Sequence, residues 1–399
     1  MKSKSISILI IYLFFSFCVI NSTNVSGQSN KEIKRESKEI KKAVKDSTKL
    51  AKIEQGKFMI SPLIVPGYTP ELGGLIAAGG LISFKNNPND KVTQRSALPF
   101  TFALSTTGAV VFNSFLTSFW MEDKLRINGQ FWYKDMPDNY WGVGYNNAVN
   151  TPESDTTTAF NRQWFQINPQ FLYKIKGYFY TGLNLDINYT KGTDAAVQVE
   201  NDPYYQKYND KPFNSGLGLI LLYDSRDVPV NAWEGLFANA TYTYYGSYLG
   251  GDNEYSILNI DIRKYFNTGR KGSTFATQFR GRFGFGDVPY GEMSQLGTPF
   301  DLRGYTWGQF RDESMLFMMA EYRHQFTKPD GSFSKSGAVA WVGGGSIFGE
   351  NNTDEVNNRV LPNFGVGYRL ELQPRMNLRF DLGFGRETMG IYVNFNEAF

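Results

Sequence analysis

From Phe58 onward the sequence sets apolar residues on alternate positions, stretch after stretch, with turn-forming residues between the stretches. A period of two belongs to β-strands with unlike faces and is foreign to an amphipathic helix. Sixteen such strands can be marked, at 58–65, 73–85, 96–106, 109–120, 123–135, 159–174, 178–191, 213–226, 234–246, 253–266, 273–286, 314–326, 335–347, 362–371, 375–385 and 388–399. The connections sort by length. Long ones fall on one side, at 136–158, 192–212, 287–313 and 348–361. Short ones fall on the other, at Met121-Glu122, Ile175-Lys176-Gly177, Asp227–Trp233, Asn267–Gly272 and Gln373-Pro374, with the link 86–95 as the exception. An even number of antiparallel strands, with long loops at one end and tight turns at the other, is the pattern of an outer-membrane β-barrel. A soluble sandwich also alternates, so periodicity alone leaves both all-β folds open.

The last three strands show the sorting well. Phe364, Val366, Tyr368 and Leu370 alternate with Gly365, Gly367, Arg369 and Glu371. Leu378, Phe380, Leu382 and Phe384 oppose Arg379, Asp381, Gly383 and Gly385. The final strand sets Ile391, Val393, Phe395 and Phe399 against Tyr392, Asn394 and Asn396. In a barrel the apolar sets face lipid, where a charge near the midplane costs ~2–4 kcal/mol. Aromatic residues make up 16% of the chain although its mean hydropathy is slightly negative. That combination fits strands that are half lipid-facing and half polar.

Residues 1–27 have the three parts of a secretory signal: Lys2 and Lys4, the apolar run Ile6–Ile20, and the small-residue site Val25-Ser26-Gly27. The run falls short of the ~20 residues of a membrane-spanning helix. Cys18 is the sole cysteine, and Phe17 before it does not suit a lipobox. Once the signal is removed no thiol remains for disulfides or metal sites. Residues 28–57 form a charged tail or short helix, with Lys and Glu crowded between 31 and 54, and the barrel is expected over 58–399. Without Lys2 and Lys4, 39 basic residues stand against 38 acidic ones, which gives no reason to expect nucleic acid.

The connection 287–313 is long, lacks periodicity, and carries Tyr290, Phe300, Tyr305, Trp307 and Phe310 among glycines. Loops of that length are usually functional or disordered, and this composition favours a packed one. Within it, Arg303-Gly304-Tyr305 resembles the Arg-Gly-aromatic signature of the BamA/TamA superfamily of outer-membrane assembly factors. The resemblance implies an all-β fold, a transmembrane barrel of about sixteen antiparallel strands, with an inserted extracellular loop that carries this tripeptide into the lumen. A charged guanidinium there would seek a bidentate carboxylate. Glu321, which shares a face with Met319, Arg323 and Gln325, is the first choice and Asp381 the second. The family's acid on the next strand is missing, since Trp341-Val342-Gly343 puts Gly343 in its place. The other reading has Arg303 bracing its own loop through Asp301 or Asp312.

Asp224, Arg226 and Asp227, followed by Pro229 and Gly235, resemble a charged strand-end segment of the same family and would form a network at the periplasmic rim. Tyr140-Trp141-Gly142-Val143-Gly144-Tyr145 resembles another family stretch and is assigned to the aromatic girdle. Tyr392, Phe395 and Phe399 resemble the terminal-strand signal of outer-membrane barrels, with Phe399 on the lipid side. The resemblance implies an assembly or export factor working through a lateral seam between the first and last strands. Residues 28–57 are too short for a POTRA domain, so clients would come from a separate periplasmic or outer-membrane partner. The alternative is a structural or pore-forming barrel, or an accessory subunit without insertase activity. Outer-membrane lipid and lipopolysaccharide are the expected surroundings. Catalysis is not expected: His324 is the sole histidine, no Gly-x-Ser-x-Gly elbow exists, and neither a cofactor nor a metal site is indicated.

Overall fold

The computed structural model describes residues 55–69, 73–90, 93–349, 359–373 and 375–399, together with Val44, Ser47 and Thr48. The expected signal peptide and most of the charged tail lie outside these residues. Val44, Ser47 and Thr48 are helical, and both hydroxyls donate to the Val44 carbonyl.

Residues Phe58–Phe399 form one compact unit. Its first strands are β1 (Met59–Thr69), β2 (Gly73–Phe84), β3 (Ser96–Ser105), β4 (Val110–Trp120), β5 (Leu125–Asn139) and β6 (Ala159–Lys176). Next come β7 (Phe179–Thr193), β8 (Phe213–Asp224), β9 (Gly235–Tyr245), β10 (Tyr255–Asn267) and β11 (Ser273–Gly286). Two short strands, β12 (Ser294–Gln295) and β13 (Arg311–Asp312), pair with each other inside the long connection. The last are β14 (Ser314–Thr327), β15 (Phe333–Phe348), β16 (Leu361–Gln373), β17 (Met376–Phe384) and β18 (Met389–Phe395). The sixteen long strands make one antiparallel sheet in chain order, with β14 beside β11. All sixteen strands expected from alternation are there.

The sheet is rolled. Arg375, in the turn just before β17, donates to Asp227 at 2.7 Å and to the Asn231 carbonyl at 3.1 Å, both in the β8–β9 turn. At the other end Arg386, between β17 and β18, donates to the Tyr145 hydroxyl beyond β5 at 2.9 Å. The two faces decide between sandwich and barrel. Glu321, Arg379 and Asp381 on the inner face are 0–2% exposed, whereas Met318, Val342 and Ile391 on the outer face are 63–75% exposed. A sandwich buries its apolar face. Here the charges are enclosed and the apolar side chains point out, as in a barrel wrapped by lipid.

Among the described residues no ladder joins β1 to β18. β1 carries Pro62 and Pro66, which have the same parity, so both missing N–H donors fall on one edge. The ladder from β1 to β2 runs unbroken from Met59 to Thr69, which leaves the edge away from β2 as the depleted one.

Short helices cap the long-loop end: α1 (Tyr145–Asn150), α2 (Val197–Glu200) and α3 (Pro203–Tyr208). α3 starts where it does because Pro203 sits at its first turn and the Asp202 carboxylate accepts the Tyr204 and Tyr205 amides at 2.9 and 3.0 Å. The apolar core lies beneath these loops, inside the barrel. There Leu296, Leu302, Tyr305 and Phe310 of the inserted connection pack on Tyr145, Phe317, Ile347 and Leu361.

Two expectations are corrected. Phe399 does not face lipid: Asn396 takes a positive φ of 61°, which ends the alternation after Phe395 and turns the following residues into the lumen. Phe399 then packs on Tyr265 and beneath the Arg323 guanidinium, at 4.7 Å. Nor do Tyr140–Tyr145 belong to a lipid-facing girdle. The chain turns inward after β5, Tyr140 and Trp141 are buried, and the Tyr140 hydroxyl donates to Asp202 at 2.8 Å.

Candidate functional site

The loop after β11 is tied at its neck by the β12–β13 ladder, Ser294 opposite Asp312 and Gln295 opposite Arg311. Asp301 shapes the turn above it. Its carboxylate accepts the backbone amides of Gly297 and Thr298, both at 2.8 Å, and the Thr298 hydroxyl. Asp301 is therefore taken up by its own loop, and Arg303 is free to reach the wall.

The Arg303 guanidinium donates to Glu321 on β14 at 2.5 Å and to Asp381 on β17 at 2.6 Å, with all three side chains fully enclosed. Its central carbon lies over the Trp341 ring on β15, 3.5 Å from the ring centre. Guanidinium on indole adds cation–π attraction that strengthens with desolvation. The acid absent from Gly343 on β15 is thus matched by Asp381 on β17, while β15 contributes an aromatic floor.

The contact extends well beyond the three residues that the motif indicates. Glu321 also accepts from Arg323 at 2.9 Å, and Asp381 from Arg369 at 2.6 Å and Arg379 at 3.3 Å. Arg369 continues to Glu397 at 2.7 Å, just past β18. Arg379 also donates to the Pro299 carbonyl of the loop at 2.9 Å and lies over Phe300. Four arginines and three carboxylates share the enclosed wall, and each arginine touches at least one acid. Sequence reasoning had placed Arg369 and Arg379 on the inner face without linking them to Arg303. Their partners come from strands distant in sequence.

The backbone of the tripeptide lies directly on β17. Gly304 has φ 118°, and a methyl on it would come within 2.7–2.9 Å of Phe384 and Gly385 backbone atoms. Its amide donates to the Tyr392 hydroxyl at 2.9 Å. Asn363 donates to the Arg303 carbonyl and is itself oriented by the Trp341 indole at 2.9 Å. The Tyr305 hydroxyl donates to the Pro362 carbonyl at 2.7 Å and accepts the Arg386 amide at 3.0 Å.

The remaining sequence-selected residues sit apart from this centre. Asp224 accepts Arg126 at 2.9 Å and Arg226 at 2.8 Å, and Asp227 pairs with Arg375 across the short-turn end. Tyr392, Phe395 and Phe399 separate: the first meets the loop, the second faces outward, and the third lies in the lumen.

Glu292 was not singled out by the sequence, yet its carboxyl is buried inside the barrel. Burial, reinforced by repulsion from Asp186, pushes its carboxyl up to about 8. Its Oε1 has no hydrogen-bond partner. With a folded value above the ordinary one near 4.5, the docked loop holds a proton that an undocked loop releases. Docking is therefore firmest below about pH 4.5, weakens as pH rises to about 8, and levels off beyond. The shift bounds the effect at about 5 kcal/mol. We expect proteolysis within 287–313 to quicken at least tenfold from pH 6 to pH 9 in the wild type. Glu292→Gln should abolish that pH dependence.

An Omp85 superfamily domain matches residues 104–399. Among solved structures, BamA from Haemophilus ducreyi lacking POTRA domains 1–3 is 14% identical at TM-score 0.50, covering 89% of this chain and 77% of that one. CdiB from Acinetobacter baumannii is 14% identical at TM-score 0.51, with 85% and 58% covered. CdiB from Escherichia coli is 11% identical at TM-score 0.52, with 84% and 61% covered. The chain thus spans about three fifths of each CdiB chain. At such identities the likeness is one of fold. No curated protein matches in sequence.

Proposed function

We infer the function from one premise, that this chain belongs to the Omp85 superfamily, a family of outer-membrane proteins with a general role in assembly or translocation. We propose that it resides in the outer membrane of a Gram-negative bacterium. There it assists insertion or export of client polypeptides at the seam between β1 and β18, and a separate protein delivers the clients. The observation that carries this reading is the pair of edges flanking the seam. β1 lacks two donors at Pro62 and Pro66, and β18 is only seven residues long. An incoming strand adds to a sheet by main-chain hydrogen bonds to an unpaired edge, here that of β18, for which β1 with two donors missing is a weak competitor. The arginine-centred contact would hold the wall beside the seam, β14 to β17, in one shape while a client engages.

Restoring the missing donors tests this. Pro62→Ile together with Pro66→Ile lets β1 and β18 zip together, and each net hydrogen bond adds about 1 kcal/mol. The expected result is a more heat-resistant barrel whose expression in a depleted strain fails to restore the levels of other outer-membrane proteins. A structural or pore-forming barrel would gain stability and keep full complementation.

A further inference from the structure

A second buried charge cluster lies on the inner wall formed by β5 and β6, away from Arg303. Lys134 and Trp164 are cross-strand partners there, and Met136 opposes Arg162 two pairs further on. The Lys134 ammonium is framed by three indoles, 4.4 Å from Trp164, 4.3 Å from Trp307 of the inserted loop, and 5.0 Å from Trp132. The Arg162 guanidinium lies 4.0 Å from the same Trp164 ring. Arg311 approaches from the neck of the loop: it donates to the Tyr290 carbonyl at 3.2 Å, and Arg162 donates to the next carbonyl, Gly291, at 3.1 Å.

The charge does not balance. Lys134, Arg162 and Arg311 are 7%, 3% and 1% exposed, and the ion pair among them is Arg162 with Asp138, at 3.4 Å. Among the described residues neither Lys134 nor Arg311 makes a salt bridge, in contrast to the arginines around Glu321 and Asp381. Five enclosed N–H donors have no acceptor: Arg162 Nε, Arg311 Nε and Nη2, and the indole nitrogens of Trp132 and Trp164. Enclosed cations without a counter-charge are strongly disfavoured, and water can satisfy the donors without neutralising the charge. A tetrahedral oxyanion does both, because guanidinium and ammonium groups bind it through charge-assisted hydrogen bonds.

We propose that Lys134, Arg162 and Arg311, with the surrounding indoles, form a lumenal site for a small oxyanion of the sulfate or phosphate class. Trp307 and Arg311 belong to the inserted loop while Lys134 and Arg162 belong to the wall, so an occupant bridges the two. The site is independent of whether the seam admits clients.

The test uses the purified full barrel in detergent, with tryptophan fluorescence as readout because three indoles surround the site. Inorganic sulfate should give a saturable change that sodium chloride at equal ionic strength does not. Lys134→Met with Arg311→Met should weaken sulfate binding at least tenfold while heat-modifiable migration reports a folded barrel. Lys134→Met alone, which keeps the aromatic packing, should weaken it several-fold. Equal responses to sulfate and chloride would overturn the proposal, as would unchanged sulfate affinity in the double variant. Glucose 1-phosphate compared with inorganic phosphate then assigns the source. Tighter binding of the ester supports an anion carried on a sugar, and equal binding supports a free anion.

Discussion

Glu321→Ala should release the 287–313 loop from the barrel wall, raising its rate of proteolytic cleavage by about 10²- to 10³-fold while the strands stay assembled. Glu321 is fully enclosed and accepts from both Arg303 and Arg323, at 2.5 and 2.9 Å. Its removal leaves four arginines facing two carboxylates, and breaking a buried pair by deleting one partner costs about 3–5 kcal/mol. The loop can relieve that cost by lifting Arg303 into water, so the penalty appears as undocking and not as barrel unfolding. Arg303→Met should be milder. It leaves three arginines with three acids, since Glu321 keeps Arg323 and Asp381 keeps Arg369 and Arg379. The methionine can rest on Trp341 in place of the guanidinium. Deleting the acid should therefore do more harm than deleting the base. If Arg303→Met opened the loop as widely as Glu321→Ala, the loop would be held by simple packing in place of a charge-balanced clasp. Hydrogen exchange over residues 296–310, read beside heat-modifiable migration, separates the two.

Much of this arrangement can be read from the residues alone, for physical reasons that differ by element. The strands are legible because each spanning segment must alternate, and a one-residue slip would put Arg379 and Asp381 into lipid. Arg303 is legible through its motif: Arg303-Gly304-Tyr305 resembles the BamA/TamA signature, which implies a loop carried into the lumen, where a guanidinium seeks a carboxylate. The inward turn at Asn396 is not legible. Alternation extrapolates through it, and a positive φ at an asparagine leaves no periodic trace. The aromatic floor under Arg303 is hidden for another reason. Trp341 obeys the inner-face parity, but parity says nothing about which of many inward side chains meet across the lumen. The same limit conceals Glu397 with Arg369, and Lys134 with Trp307, whose partners lie on elements far apart in sequence. Tyr140–Tyr145 misleads because aromatics at the outer end of a strand suit a girdle and a loop core equally well.

Gly383→Val should undock the loop to an extent comparable with Glu321→Ala, although it changes no charge and sits among outward apolar neighbours. Gly383 pairs across the sheet with Gly365 on β16 and Gly390 on β18, and the Trp341 ring covers the first neighbour and the Tyr392 ring the second, which leaves a shallow slot over Gly383. The backbone of Arg303 lies in that slot. A Cβ at Gly383 would come within 2.6 and 2.7 Å of the Arg303 carbonyl carbon and Cβ. Neither strand nor loop backbone can yield there as a flexible side chain would, and overpacking of this kind costs about 1–3 kcal/mol. The larger consequence is geometric. Lifting Arg303 by the ångström or so that relieves the clash stretches its 2.5 and 2.6 Å bonds to Glu321 and Asp381 together, so steric and electrostatic losses add. Ala320→Val, on the lipid-facing side of β14 next to Glu321, is the control and should leave cleavage unchanged. Gly383→Ala, with the minimum added volume, should already open the loop at least tenfold. Full protease resistance in Gly383→Ala would mean that the loop tolerates a raised backbone, and then a clasp that depends on close approach to β17 could not be what holds it.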